Sequence, residues 1–270
     1  MNRIFVILKI LPRTHYIKAS TILQISYTSQ SKPFTNILNN VYHKNPFLFL
    51  LANPFGLEFK CLGVQNSTIS DLYGTNLNEL FSYLSYEDPA NDFALGTKGH
   101  DADKVFGLTI CNVDIEEKDC QSCIANATNE IRSLCPNSNG AIKWSHNCTL
   151  KYHNVDFFGH IDHETWFFTK DPQNLTNYQS IRQKKSEWLT QLAGQASMNP
   201  PMVLFGELDI GENNKLNGSV QCTRDLSSLD CMKCLSDSIG FLPKCCDSSK
   251  AVRLFSGTCG LRFEAYYNKA

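Results

Sequence analysis

The chain has almost no net charge: 25 Lys and Arg stand against 26 Asp and Glu, a formal balance of −1. That removes the basic footprint on which nucleic-acid binding rests. Long apolar runs are missing too. No stretch approaches the roughly 18 residues that a membrane-spanning helix needs, so no transmembrane segment is expected, nor an anchor in the closing "RFEAYYNKA". Gly-x-Ser-x-Gly, a Walker loop and His-Glu-x-x-His are all absent, so no enzyme and no cofactor are expected. No cysteine precedes Cys61 and no acidic residue precedes Glu58. The opening "MNRIFVILKILPR" has a basic start, but Lys9 breaks its apolar run and no small-residue cleavage site follows. Residues 1–56 are therefore a leader with three readings: a secretory signal, a transit peptide or a gene-model artefact.

What is present is cysteine, twelve in all and every one beyond that leader. "CNVDIEEKDCQSC", residues 111–123, has a counterpart in "CTRDLSSLDCMKC", residues 222–234. Cys111, Cys120 and Cys123 lie one constant offset before Cys222, Cys231 and Cys234, and the same offset carries Cys135 to Cys246 and Cys148 to Cys259. It also carries Lys104 to Lys215 and Gly107 to Gly218. Such a register means tandem duplication of a domain-sized unit, which we bound at 57–160 and 161–270. Asn66, Asn126, Asn147, Asn174 and Asn217 each begin an Asn-x-Ser/Thr sequon. Together with an even cysteine count they point to the secretory pathway, where disulfides persist and glycans attach.

Each unit shows the same order of periodicities. Leu77, Leu80, Phe81 and Leu84 have helical spacing over residues 76–86, and "SEWLTQLAGQA" matches them in the second unit. "KVFGLTIC" is a short strand. Cys123, Ile124, Ala127, Ile131 and Leu134 line a second helix from Asp119 to Leu134, which Pro136 stops; Cys234, Leu235, Ser238, Phe241 and Leu242 line its counterpart. "GAIKWSH" and "CTLKYHNV" alternate as half-buried strands, and "KAVRLFS" and "CGLRFEAYY" close the second unit. The class is α+β, with helices on one face of an antiparallel sheet. "ETWFFTKDPQNLTNY" suits a linker. His146, His153, His160 and His163 cluster without ligand spacing and read as polar surface, so no metal is expected.

One Cys-x-x-Cys per unit, without a second pair in reach, argues against zinc. A redox dithiol would not need three further cysteines in register. Disulfides account for the rest, since Cys120 and Cys123 point to neighbouring helix faces and can reach different partners.

The doubled C-x8-C-x2-C signature, the ending "CTLKYHNVDFFG" and "CC" followed by "CGLRFE" resemble the plant cysteine-rich repeat secretory proteins over roughly residues 57–270. The module is similar to ginkbilobin and to the ectodomains of cysteine-rich receptor-like kinases and plasmodesmata-located proteins. The resemblance implies two helices on a five-stranded antiparallel sheet in each unit. It implies the bridges Cys61–Cys135, Cys111–Cys120, Cys123–Cys148, Cys222–Cys231 and Cys234–Cys259. Cys245 and Cys246 are left over: a vicinal bond, two thiols or an intermolecular bond are all open, and neighbouring Cα atoms lie closer than bridges usually allow.

The resemblance also implies a mannose site made of an Asn, an Arg and a Glu. The first unit has Leu62, Ile142 and His153 at those positions, so it lacks the triad. The second keeps Arg253 and Glu264, which on their own would equally suit a cross-strand salt bridge. Two functional readings follow. One is a secreted, non-enzymatic binding module of the apoplast, active in defence, stress or cell-surface recognition, with an extracellular protein, a receptor ectodomain or a surface carbohydrate as partner. The other is a mannose-binding antifungal lectin that uses the second domain.

Overall fold

The computed structural model describes residues 58–63, 70–86, 92–112, 114–211 and 214–267. The expected leader, 1–56, and the sequon at Asn66 lie outside the described residues.

The first repeat runs β1 (Phe59–Leu62), α1 (Asp71–Tyr86), β2 (Phe93–Lys98), a 3-10 turn, β3 (Val105–Cys111), α2 (Glu117–Leu134), β4 (Gly140–Trp144) and β5 (Cys148–His153). The second runs β6 (Trp166–Lys170), α3 (Tyr178–Met198), β7 (Val203–Gly211), β8 (Asn214–Cys222), α4 (Ser228–Cys245), β9 (Ala251–Ser256) and β10 (Cys259–Tyr267). Each makes a five-stranded sheet, in the orders β1-β4-β5-β3-β2 and β6-β9-β10-β8-β7, and all the strand pairs are antiparallel. The fold class is α+β, and the identical strand orders make the duplication structural as well as sequential.

The helices begin earlier than the apolar stripes suggested. In α1, Ser70 Oγ accepts from the Tyr73 amide at 2.9 Å, and this hydroxyl cap starts the helix well before Leu77. In α4, Ser227 caps the Asp230 amide and its hydroxyl donates to the Asp230 carboxylate at 2.6 Å, a reciprocal closure akin to a capping box. The segment expected to be a linker contains a strand: Trp166–Lys170 is β6, the edge of the second sheet. Aromatic, β-favouring Trp166, Phe167 and Phe168 explain it.

Each first helix lies close on its sheet because glycines face it. Gly96 pairs directly with Gly107, and Gly206 with Gly218. Leu80 and Tyr83 of α1 rest on one pair, and Trp188 and Leu192 of α3 on the other. A Cβ at Gly218 would sit 2.7 Å from the Arg262 carbonyl oxygen and 2.8 Å from the Trp188 ring.

Disulfides tie the second helices down. Cys111–Cys120 and Cys222–Cys231 join the ends of β3 and β8 to α2 and α4. Cys123–Cys148 and Cys234–Cys259 join those helices to β5 and β10. Cys61–Cys135 fastens β1 to the end of α2 across 74 residues. Such bonds typically contribute about 2–4 kcal/mol each.

The glycine pairs generate a test. Gly218→Ala should destabilise the chain by about 1–3 kcal/mol, because backbone and indole both obstruct the new methyl group. Gly194→Ala, in α3 with nothing within 4 Å of the new Cβ, should stabilise it by about 0.4–1 kcal/mol. Urea unfolding of both variants would check the pair, and equal effects would contradict the close approach.

Candidate binding surface at the inter-repeat junction

Alternation along each strand gives every sheet two faces. One carries the helices. Leu150, Tyr152 and Ala141 face α1 and α2, and Val252, Leu254, Leu261 and Phe263 face α3 and α4. The other face was expected to meet solvent, but in both sheets it meets the other repeat. Ile142, Trp144 and Phe167 form a separate buried cluster, with Leu62 and Phe255 packed against it. The Trp144 and Phe167 rings stack at 5.7 Å, and Trp144 Nε1 donates to the Ser256 carbonyl at 3.0 Å. So β4 is buried on both sides, a correction to its half-buried reading.

Polar contacts frame this core. Lys60 Nζ donates to the Glu164 carbonyl at 2.9 Å, Gln221 Nε2 to the Cys111 carbonyl at 3.0 Å, and Arg262 Nη2 to the Asp114 carboxylate at 2.6 Å. Lys151 and Asp162 form a buried ion pair at 2.7 Å, each with 7% of its side chain exposed. Asp162 also accepts from the Thr165 hydroxyl, and its amide donates to Thr258 Oγ1 at 3.0 Å. It thus links β5 to the β9–β10 turn. Burial alone would raise the Asp162 carboxyl, but the Lys151 ammonium and hydrogen bonds from Lys151 and Thr165 hold it below the usual carboxylate range.

Arg253 lies in this junction. Its Nη2 donates to the carbonyls of Ser145 at 3.2 Å and His146 at 2.9 Å, and Nη1 lies 3.2 Å from His146 Nδ1. Burial and then the neighbouring Arg262 lower its pKa. Glu264 is on the same face but exposed. The register sets Arg253 opposite Arg262, and Glu264 opposite Ala251 and Asn217. Among the described residues no ion pair joins Arg253 to Glu264, so the cross-strand bridge suggested by their spacing is corrected: the β10 register places an arginine, not the glutamate, across from Arg253. In the first repeat, Leu62 and Ile142 pack into the junction. His153 is half-buried beside Gly140 rather than on the polar surface, and its pKa is lowered by burial and then by Lys151.

The other histidines are dispersed. His146 touches Arg253, and His163 lies 4.0 Å from an Asp237 carboxylate oxygen. Among the described residues no three His, Cys, Asp or Glu side chains gather as metal ligands. Of the sequons, Asn126 on α2 and Asn217 on β8 are exposed, Asn147 lies in the β4–β5 turn, and Asn174 Oδ1 accepts from Ser248 Oγ at 2.9 Å. A shallow cleft, open to solvent, follows the junction between Asn112, Thr149, Gln221, Thr223 and Phe255. Sequence reasoning missed this surface, because nothing in one strand's alternation reveals that a second sheet will cover it. The runs "AIKW" and "RLFS" do carry a signal: both place large side chains on successive positions.

The salt stress response/antifungal family model matches residues 60–155 and again residues 169–266. The chain is 40% identical over 206 residues to the antimicrobial ginkbilobin-2-like protein of Castanea crenata, spanning 76% of this chain and 86% of that one. It is 41% identical over 213 residues to cysteine-rich repeat secretory protein 38 of Arabidopsis thaliana, spanning 78% and 84%. Its fold matches the tandem DUF26 ectodomains of two Arabidopsis thaliana cysteine-rich receptor-like proteins. For PDLP8 the TM-score is 0.67 at 24% identity, over 77% of this chain and 97% of that one. For PDLP5 it is 0.60 at 26% identity, over 76% and 97%. Among the described residues no helix is long and apolar enough to cross a membrane.

The Lys151–Asp162 pair makes the junction sensitive to acid. The folded-state pKa of Asp162 lies below the unfolded value of about 3.9, so its stabilisation is present above that value and is lost as pH falls through the folded pKa. Asp162→Asn should cost about 3–5 kcal/mol at neutral pH, because Lys151 then stays buried without its counter-charge. The variant should also lose part of the acid dependence below about pH 4. Thermal melts of both proteins across pH 2–7 would check this, and parallel curves would contradict it.

Proposed function

The chain belongs to the salt stress response/antifungal family and, within it, to the cysteine-rich repeat secretory proteins with tandem DUF26 domains; from that premise we propose a secreted, non-enzymatic binding module of the apoplast. Its role is defence, stress response or cell-surface recognition. Its domains are the repeats 57–160 and 161–270, and its partner is an extracellular protein or receptor ectodomain. The observation that carries this reading is the junction. Two domains merged through their helix-free faces leave their helices and outer edges as one continuous exterior, a format suited to a macromolecular partner.

The non-enzymatic reading is supported by what the polar groups do. Three groups with perturbed pKa values are committed to packing. The Tyr152 hydroxyl is pushed up to about 12 mainly by burial. Tyr178 is raised to about 12 by burial and then by its bond to Asp247. Lys185 is lowered by burial while pairing with Asp247. Each answers a structural neighbour rather than converging on a shared cleft.

The mannose-lectin reading has one observation in its favour: Glu264 is exposed on the same face of the sheet as Arg253. It also carries a requirement, since Arg253 would have to leave Ser145 and His146 to meet a sugar. Labelled protein bound to plant protoplasts separates the two. Protease treatment of the cells should remove binding, while mannose or mannan in excess should not. Competition by mannose, together with loss of binding in Arg253→Ala, would replace the interaction reading with the lectin.

A further inference from the structure

Five of the six disulfides join segments separated by 74, 9, 25, 9 and 25 positions. The sixth, Cys245–Cys246, joins neighbours. It closes no loop, so the chain-entropy account gives it no part in restricting the unfolded state. The repeat register explains its origin. Lys170 lies opposite Val252 in the second sheet as Cys61 lies opposite Ala141 in the first, so Lys170 stands where the second repeat would need the counterpart of Cys61, which leaves Cys246 without a distant partner.

Non-covalent ties do the work of the missing bridge. Lys170 Nζ donates to the Cys245 carbonyl at 3.0 Å, and the Leu175 amide to the Ser248 carbonyl at 2.8 Å. The Cys246 amide donates to the Leu242 carbonyl at 2.9 Å and caps α4, and the Ser249 amide donates to the Cys246 carbonyl at 3.1 Å. The next residue, Asp247, pairs with buried Lys185 at 2.5 Å, with Arg182 at 3.5 Å, and with the Tyr178 hydroxyl. None of these contacts uses a sulfur atom, so the segment is held on both sides whether the S–S bond is closed or open. The residues also differ in access. Cys245 is half-buried, as are Cys61 and Cys123, whereas both partners of Cys111–Cys120, Cys222–Cys231 and Cys234–Cys259 are buried; Cys245–Cys246 is set apart from Cys61–Cys135 and Cys123–Cys148 by closing no loop.

We propose that Cys245–Cys246 is a thiol–disulfide exchange site, reduced by dithiols while the fold stays intact. A dithiol thiolate attacks Cys245 Sγ, the more exposed of the two. The Cys245–Cys246 bond breaks, a mixed disulfide forms, and Cys246 leaves as a thiolate that takes up a proton. The second thiol of the reductant then attacks the sulfur bonded to Cys245. Cys245 is released and protonated, and the reductant departs as its own disulfide. Two electrons and two protons pass to the protein, and the dithiol is oxidised.

The test uses the whole oxidised chain under native conditions. It is equilibrated over a dithiothreitol series and trapped with N-ethylmaleimide, and the labelled cysteines are assigned by peptide mass. Cys245 and Cys246 should both take label at about tenfold lower dithiol than any other cysteine, with the far-ultraviolet dichroism unchanged. Label appearing equally early on Cys61, Cys135, Cys123 or Cys148 would overturn the proposal. So would label on Cys245 and Cys246 only once the dichroism is lost. As a second arm, replacing Cys245 and Cys246 by Ser should leave Tm nearly unchanged, while Cys61→Ser with Cys135→Ser should lower it. Equal losses would also overturn the proposal.

Discussion

The stacking of Trp144 on Phe167, with Ile142, Leu62 and Phe255 around it, is the contact on which the remaining structure depends. Each repeat has its own helix-covered core, but a five-stranded sheet with one bare face would leave apolar side chains in water. Placing the two bare faces together removes both problems at once. Near this core the chain also buries Lys151 together with its counter-charge, Asp162. The tandem arrangement is thus a packing requirement. Strand β4, buried on both faces, needs the second repeat to complete its surroundings.

That requirement also sets the surroundings of Arg253 and Glu264 in the second repeat. Arg253 spends its guanidinium on the Ser145–His146 turn of the first repeat, while Glu264, two positions along the diagonal, stays in solvent. Arg253 thereby ties the second repeat to the first. The first repeat shows the same logic in apolar form, with Leu62 and Ile142 at the matching positions and both packed into the junction.

Much of the fold was legible in the sequence. The cysteine register announced the duplication, the apolar stripes of α1, α2 and α4 located the helices, and Pro136 marked the end of α2. What escaped were β1, β2, β6 and β7, short or edge strands whose pairing is non-local and whose residues carry weak alternation. The early start of α1 and α3 escaped because caps and polar first turns carry no apolar period. The junction escaped for a different reason. Local pattern records that a side chain is apolar, but not which of two sheets will cover it, so Trp144 and Phe167 looked like ordinary strand residues.

The most direct test of the junction is differential scanning calorimetry of the whole chain with Trp144→Ala. The two repeats should melt in one transition in the parent protein. Removing the indole should cost about 3–5 kcal/mol and separate the melting of the repeats, because the tryptophan packs against both sheets. Two independent transitions in the parent, with neither moved by Trp144→Ala, would contradict the claim that the repeats are joined through their helix-free faces.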